Sequence, residues 1–109
     1  MPSSLKAWID QVVRIRRTFA YEDGQFRGLL PGRRAVLALA YGAGGYAGPM
    51  AQLDHLRPYL TSLLLFLGFD DVRVVAAEAT TGADAQANIQ SAVAQAGRLW
   101  VPAAEKLAA

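Results

Sequence analysis

Leu5, Trp8, Ile9, Val12 and Val13 recur at intervals of three and four residues, one face of a 3.6-residue period. With Ser3 or Ser4 as a hydroxyl cap, this predicts a helix over residues 4–16. The pattern then changes. Thr18 to Glu22 and Gln25 to Arg27 are short β-prone segments on either side of Asp23-Gly24, a dipeptide that accepts positive φ in a tight turn, so a hairpin is expected. Leu29-Leu30-Pro31-Gly32 punctuates the chain before an apolar run without alternation, Ala35 to Tyr41, which reads as an interior parallel strand buried on both faces. A glycine-rich loop, Gly42 to Pro49, follows directly. The next helix begins between Asp54 and Pro58, because proline is tolerated only in a first turn, and runs to about Leu67, where Gly68 stops it. Val72 to Ala77 predicts a second parallel strand. Asp84 then caps a last helix with Ala85, Ile89, Val93 and Ala96 along one stripe, and the tail over residues 102–109 is expected to fray.

The order helix, hairpin, strand, helix, strand, helix implies an α/β sheet with right-handed crossovers. Two parallel strands, three helices and a peripheral hairpin make an incomplete sheet, since parallel strands are stable with both faces covered and both edges paired. The helix carrying Leu60, Leu63, Leu64, Leu65, Phe66 and Leu67 is apolar nearly all round. A helix of that kind calls for a subunit or domain contact over it.

Composition narrows the function. The 109 residues contain 11 Lys+Arg against 9 Asp+Glu, a surplus of only +2 in which Arg14, Arg16 and Arg17 form the one tight group. No phosphate-tracking stripe results, so no nucleic-acid partner is expected. The chain has no cysteine, which excludes disulfides, thiolate metal sites and a thiol nucleophile and makes the cytoplasm the expected location. Lys6, Asp10 and Arg14 interrupt any signal-peptide pattern, and the longest uncharged run, between Arg57 and Asp70, is too short for a membrane span.

A glycine-rich loop at the carboxyl end of a buried parallel strand is where open α/β sheets bind ligands, because backbone N–H groups there lack partners and glycine permits close approach. Gly42, Gly44, Gly45 and Gly48 meet that description; the plain alternative is a flexible connection. Gly42-x-Gly44-x-x-Ala47 formally satisfies a relaxed dinucleotide fingerprint. However, Gly48-Pro49 prevents a helix from opening inside the glycines, and Glu78 lies too far along to bind a ribose, so a Rossmann site is the weaker reading. His55 is the only histidine, so no histidine cluster for a metal exists, and it reads as a surface residue near a helix start. No serine sits in a strand-to-helix elbow, which leaves a hydrolase triad without support. Asp70-Asp71 reads as a solvated turn. Phe19, Tyr21, Phe26, Tyr46, Phe66 and Phe69 are either core or the lining of a flat-ligand pocket; spacing does not choose.

Several segments in order complete a recognisable pattern: Pro2 to Asp10, Thr18-Phe19-Ala20-Tyr21, Gly28-Leu29-Leu30-Pro31-Gly32-Arg33, the Gly44-Gly45 loop, Leu53-Asp54-His55, Pro58-Tyr59-Leu60, Phe66-Leu67-Gly68 and Ala77-Glu78. Over residues 2 to about 98 the chain resembles the FMN-dependent NADH-azoreductase and quinone-reductase family. The resemblance implies a flavodoxin-like fold, a homodimer, bound FMN, and two-electron reduction of quinones or azo compounds with NADH or NADPH as donor. It places Gly42, Ala43, Gly44 and Gly45 against the flavin ring and makes Tyr21 and Phe66 walls of the substrate pocket. Tyr46 or Ala47 falls where the family often has a histidine after the double glycine, and Tyr46 is assigned to the same pocket. Gly42 and Ala43 replace the family's usual Ser-Arg, so only backbone donors remain there. No residue need act as a catalytic proton donor, because reduced flavin and water supply protons, and no metal is implied.

The match begins where the family is about halfway through its domain, so residues 1–109 are expected to form its carboxyl-terminal half. The upstream phosphate loop and the segment that cups the flavin lie outside it. Three readings follow. The first is an FMN-dependent oxidoreductase in truncated form. The second is a non-catalytic remnant or dimerisation module without flavin. The third, a small nucleotide-binding domain using the same glycine loop, is less favoured.

Overall fold

In the computed structural model, which describes residues 1–99, α1 (Ser3–Val12) is followed by the hairpin strands β1 (Phe19–Glu22) and β2 (Gln25–Gly28) and by β3 (Arg34–Ala40). A short 3-10 turn (Ala51–Leu53), α2 (Arg57–Phe66), β4 (Asp71–Ala77) and α3 (Ala85–Leu99) complete the order. The expected tail over residues 102–109 lies outside the described residues. Two compact units emerge. Among the described residues, one comprises Met1–Leu37 with Asp54–Val72, the other Ala38–Leu53 with residues 73–99.

In the first unit α1 is shorter than its pattern suggested and is capped by neither serine, since Pro2 occupies the N-cap. Its end is set from outside the helix. The Thr18 hydroxyl donates to the Val12 carbonyl at 2.7 Å and accepts the Arg14 N–H at 2.9 Å, satisfying groups that another helical turn would have used. The Asp23-Gly24 turn forms as expected, both residues having positive φ (52° and 77°), which matches the twist of the flanking strands. Register pairs Tyr21 with Phe26 and Phe19 with Gly28, so these residues share one hairpin face while Ala20 is buried on the other. α2 opens with Pro58 in its first turn. The Asp54 carboxylate accepts the N–H groups of Leu56 and Arg57 at 3.2 and 3.1 Å. Gly68 (φ 105°) ends it, and its apolar surface is divided: Leu60 and Leu67 are buried, Leu65 is exposed.

β3 and β4 form a two-stranded sheet. They are parallel, because the Asp70 N–H meets the Arg33 carbonyl at one end and the Tyr41 N–H meets the Ala77 carbonyl at the other. The expectation that Ala35–Tyr41 is buried on both faces is not met. Arg34, Val36, Ala38 and Ala40 are exposed and alternate with half-buried Ala35, Leu37 and Leu39. The composition suits a strand covered on both faces, but one face stays exposed among the described residues. The stripe on α3 is likewise corrected. Ile89 and Val93 are exposed, and the residues turned inward are Ala85, Asn88 and Ala92. The Asn88 amide reaches the Glu78 carbonyl at 3.0 Å, and the Arg73 guanidinium reaches the Leu99 carbonyl. These two ties turn the helix so that Ile89, Val93 and Ala96 border an apolar hollow of about 270 Å³ beside Ala38 and Ala40.

Candidate functional site

Parallel neighbours release their following loops side by side, and here both loops leave the carboxyl ends of β3 and β4. Residues 78–82 grip the glycine loop by its carbonyls. Ala79 N–H donates to Ala43 at 2.9 Å, Thr80 N–H to Tyr41 at 3.1 Å and Thr81 N–H to Gly42 at 3.4 Å. The two threonine hydroxyls repeat the last two contacts, at 3.1 and 2.9 Å. The Gly45 carbonyl is taken by Gly48 and Met50 N–H groups within the loop. The amides behave differently. The N–H groups of Gly42, Ala43, Gly44 and Gly45 meet no acceptor among the described residues, whereas that of Tyr46 donates to the Glu78 carboxylate at 2.9 Å.

Turning carbonyls inward leaves a run of donors facing out. Gly42, Ala43 and Gly45 are exposed, and Gly44 is half-buried. An open hollow of about 310 Å³ lies there, lined by Gly44, Gly45, Glu78, Ala79, Asn88 and Ser91 among others. The need for glycine is clear at Gly45, whose φ is 89°, and at Gly44, where a Cβ would press on the Ala79 methyl at 3.3 Å. Such a strip suits a flat group rich in acceptor atoms, or an anion.

Ala79 is itself in the left-handed region, with φ 53°. An L-residue with a Cβ is disfavoured there by about 1 kcal/mol or more, and the bonds on either side hold it in place. Ala79→Gly is therefore expected to raise stability by about 0.5–1 kcal/mol after allowing for the freer unfolded chain. Thermal denaturation checks this, and a lower midpoint would show that the methyl contact outweighs the strain.

The residues expected to line a pocket fall in both units. In the first, Tyr21 and Phe66 meet the same ring: Phe26 lies 4.9 Å from Tyr21 and 5.5 Å from Phe66, centroid to centroid. Phe19 completes the cluster, 5.0 Å from Phe66. All are tilted pairs within the range of favourable aromatic contact. Tyr21 and Phe26 remain more than half exposed, so the cluster presents an aromatic surface as well as an inner face. In the second unit Tyr46 packs on buried Tyr41 with centroids 4.5 Å apart. His55 is exposed, in keeping with the surface reading. The described residues contain no group of three or more side chains suited to a metal ion, and no helix among them is long and apolar enough to cross a membrane.

Thr80 and Thr81 are the residues that sequence reasoning passed over, and Glu78 was weighed only as a ribose ligand and as part of the family pattern. Their signal was positional: they follow the second parallel strand directly and so arrive beside the loop that follows the first.

Comparison with known proteins shows which family the chain belongs to. The model of the flavodoxin-like fold family matches residues 1–99. An FMN-dependent NADH:quinone oxidoreductase of Xanthobacter autotrophicus is 57% identical over 76 residues, which are 68% of this chain and 36% of that protein. The crystal structure of an azoreductase from Bacillus anthracis str. Sterne superposes with a TM-score of 0.82 at 25% identity, over 91% of this chain and 49% of its own. An FMN-dependent NADH-azoreductase from Bacillus anthracis str. Ames Ancestor, solved in complex with FMN, gives 0.80 at 30% identity, over 87% and 46%. The chain thus spans half or less of the length of these relatives. With the family model matching residues 1–99, and with parallel strands β3 and β4 alternating with helices along the chain, this chain belongs to the flavodoxin-like fold family.

Proposed function

We propose that this chain forms the ring-binding part of an FMN-dependent NAD(P)H oxidoreductase that reduces quinones or azo compounds by two-electron transfer. The observation that carries it is the run of four amide donors, Gly42 to Gly45, at the carboxyl end of a parallel strand. The residues fit a flavin ring. The donors complement the carbonyl and nitrogen acceptors along one edge of the tricycle, and the glycines allow backbone approach to a flat surface. FMN, when bound, supplies the two-electron redox chemistry, while the protein supplies binding, orientation and electrostatics. Gly42, Ala43, Gly44 and Gly45 would hold the ring and stabilise negative charge developing on it. Within the second unit Tyr46, braced on Tyr41, would offer aromatic surface beside the glycine loop. Within the first, the Tyr21–Phe26–Phe66 cluster is by itself a flat aromatic surface suited to a planar acceptor.

These assignments concern the ring, not the phosphate. Titration of the 109-residue chain with riboflavin and with FMN, followed by flavin fluorescence, is expected to give similar affinities for both, with Gly44→Val abolishing them. Binding of ADP or inorganic phosphate without any response to riboflavin would replace this reading with the nucleotide-binding one.

Homodimerisation and a cytoplasmic location belong to the same proposal. They are supported by exposed Leu65 on α2 and by a sequence without cysteine. The apolar hollow bordered by Ile89 and Val93 favours a second reading, an association module that holds no flavin. A folded, colourless dimer that ignores riboflavin, identified by circular dichroism and light scattering, would select it.

A further inference from the structure

Of the amides from Gly42 to Ala47, only that of Tyr46 meets an acceptor among the described residues, and the acceptor is a side chain 32 positions away. The carbonyls of Tyr41, Gly42 and Ala43 are fixed by the backbone and hydroxyls of residues 79–81. Beyond Ala43 that grip ends. Gly44 makes no hydrogen bond to another described residue, and the Gly45 carbonyl bonds only within the loop. The Glu78 carboxylate on the Tyr46 N–H at 2.9 Å is therefore the hydrogen bond that ties the second half of the loop to the strand ends, beside the packing of the Tyr46 ring on Tyr41. Glu78 is anchored in turn, its carbonyl accepting the Asn88 amide from α3 at 3.0 Å.

We propose that Glu78 is the positioning residue of the glycine loop: with its main chain held by Asn88, its carboxylate pins Tyr46 so that the amides of Gly42 to Gly45 are presented together. The inference deepens the ring-binding reading and takes its functional meaning from it. A loop of four residues with three glycines is costly to order, and an ordered strip binds more tightly than one that must be ordered at the moment of binding. A carboxylate suits the task because a hydrogen bond to an ionised acceptor is stronger than one to a neutral oxygen. The amide oxygen of glutamine still accepts from an N–H, so geometry and charge are separable by substitution.

The test is amide hydrogen exchange on the full chain, without ligand, for the parent, Glu78→Ala and Glu78→Gln. Glu78→Ala is expected to speed exchange at Tyr46 by about tenfold or more, the effect of losing one charge-assisted bond, with Ala20 in the hairpin unchanged. Glu78→Gln is expected to restore most of the protection. Unchanged exchange at Tyr46 in Glu78→Ala would overturn the proposal. So would a uniform rise that includes Ala20, which marks general unfolding, or a glutamine variant as fast as the alanine one.

A riboflavin titration of the same three proteins separates the two claims. If the order parent, Gln, Ala in affinity follows protection at Tyr46, with the alanine variant about tenfold weaker, the positioning role extends to binding. Binding equal in all three despite released exchange overturns the role toward ligand. If the parent shows protection and binds no riboflavin, the ring-binding reading fails while the exchange result stands by itself.

Discussion

Gly28→Ala is expected to destabilise the protein by about 3 kcal/mol or more, a large share of the roughly 5–15 kcal/mol by which domains are stable. Gly28 ends β2 opposite Phe19, and a Cβ built on it overlaps the Leu67 carbonyl group and the Gly68 nitrogen. Both obstacles are main chain, so no side-chain rotation relieves the overlap. The strand end or the end of α2 must move, and the hydrogen bond from the Leu30 N–H to the Leu67 carbonyl, 2.9 Å long, would be lost with it. Gly68 faces the same crossing with φ at 105°, and there a Cβ would stand 3.3 Å from the main chain of Gly28 and Leu30. Urea unfolding followed by near-ultraviolet circular dichroism reads the result, because Phe19, Phe26 and Phe66 lie on the elements that would separate. A Gly28→Ala midpoint within about 0.5 kcal/mol of the parent would show that hairpin and helix do not cross this closely.

Leu67→Ala is expected to lower stability by about 2–5 kcal/mol, and Leu67→Met by less than about 1.5 kcal/mol. At 2% exposure, Leu67 is the most completely buried large side chain among the described residues. Its removal subtracts the transfer free energy of three carbons and leaves a void at the C-cap of α2, next to the crossing of Gly28 and Gly68. The consequence reaches the candidate pocket wall, since Phe66 is the preceding residue and its ring packs against Phe19 and Phe26. The alanine variant should therefore lose aromatic dichroism before its helical signal as temperature rises. Equal loss of stability in the methionine and alanine variants would mean that leucine's shape, rather than burial of its volume, holds the site.

Local chemistry made much of this protein legible before any coordinates. The turn at Asp23-Gly24, the stop at Gly68, the proline in the first turn of α2 and the order of elements each depend on residues within a few positions of one another. Steric and hydrogen-bonding preferences of short segments are enough to specify such features. The loop from Gly42 to Gly45 was legible for the same reason: a clean apolar strand running into clustered glycines defines a position in the fold without reference to distant residues.

Tertiary structure decided what depends on partners far away in the chain. Thr18 closes α1 four residues before the end its own periodicity indicated, because a hydroxyl from the next segment captures the Val12 carbonyl. An apolar run reports that a strand can be covered but not which face this chain covers, so Val36, Ala38 and Ala40 stand exposed on β3, and Val93 stands exposed on α3. Glu78, set aside in the sequence as too distant for a ribose ligand, gains a role only when the parallel pairing of β3 with β4 sets its carboxylate beside the Tyr46 N–H. The physical reason is common to all three. Periodicity and turn propensity are properties of short stretches, whereas burial and hydrogen-bond satisfaction are settled only when remote segments meet and every polar group must find its partner.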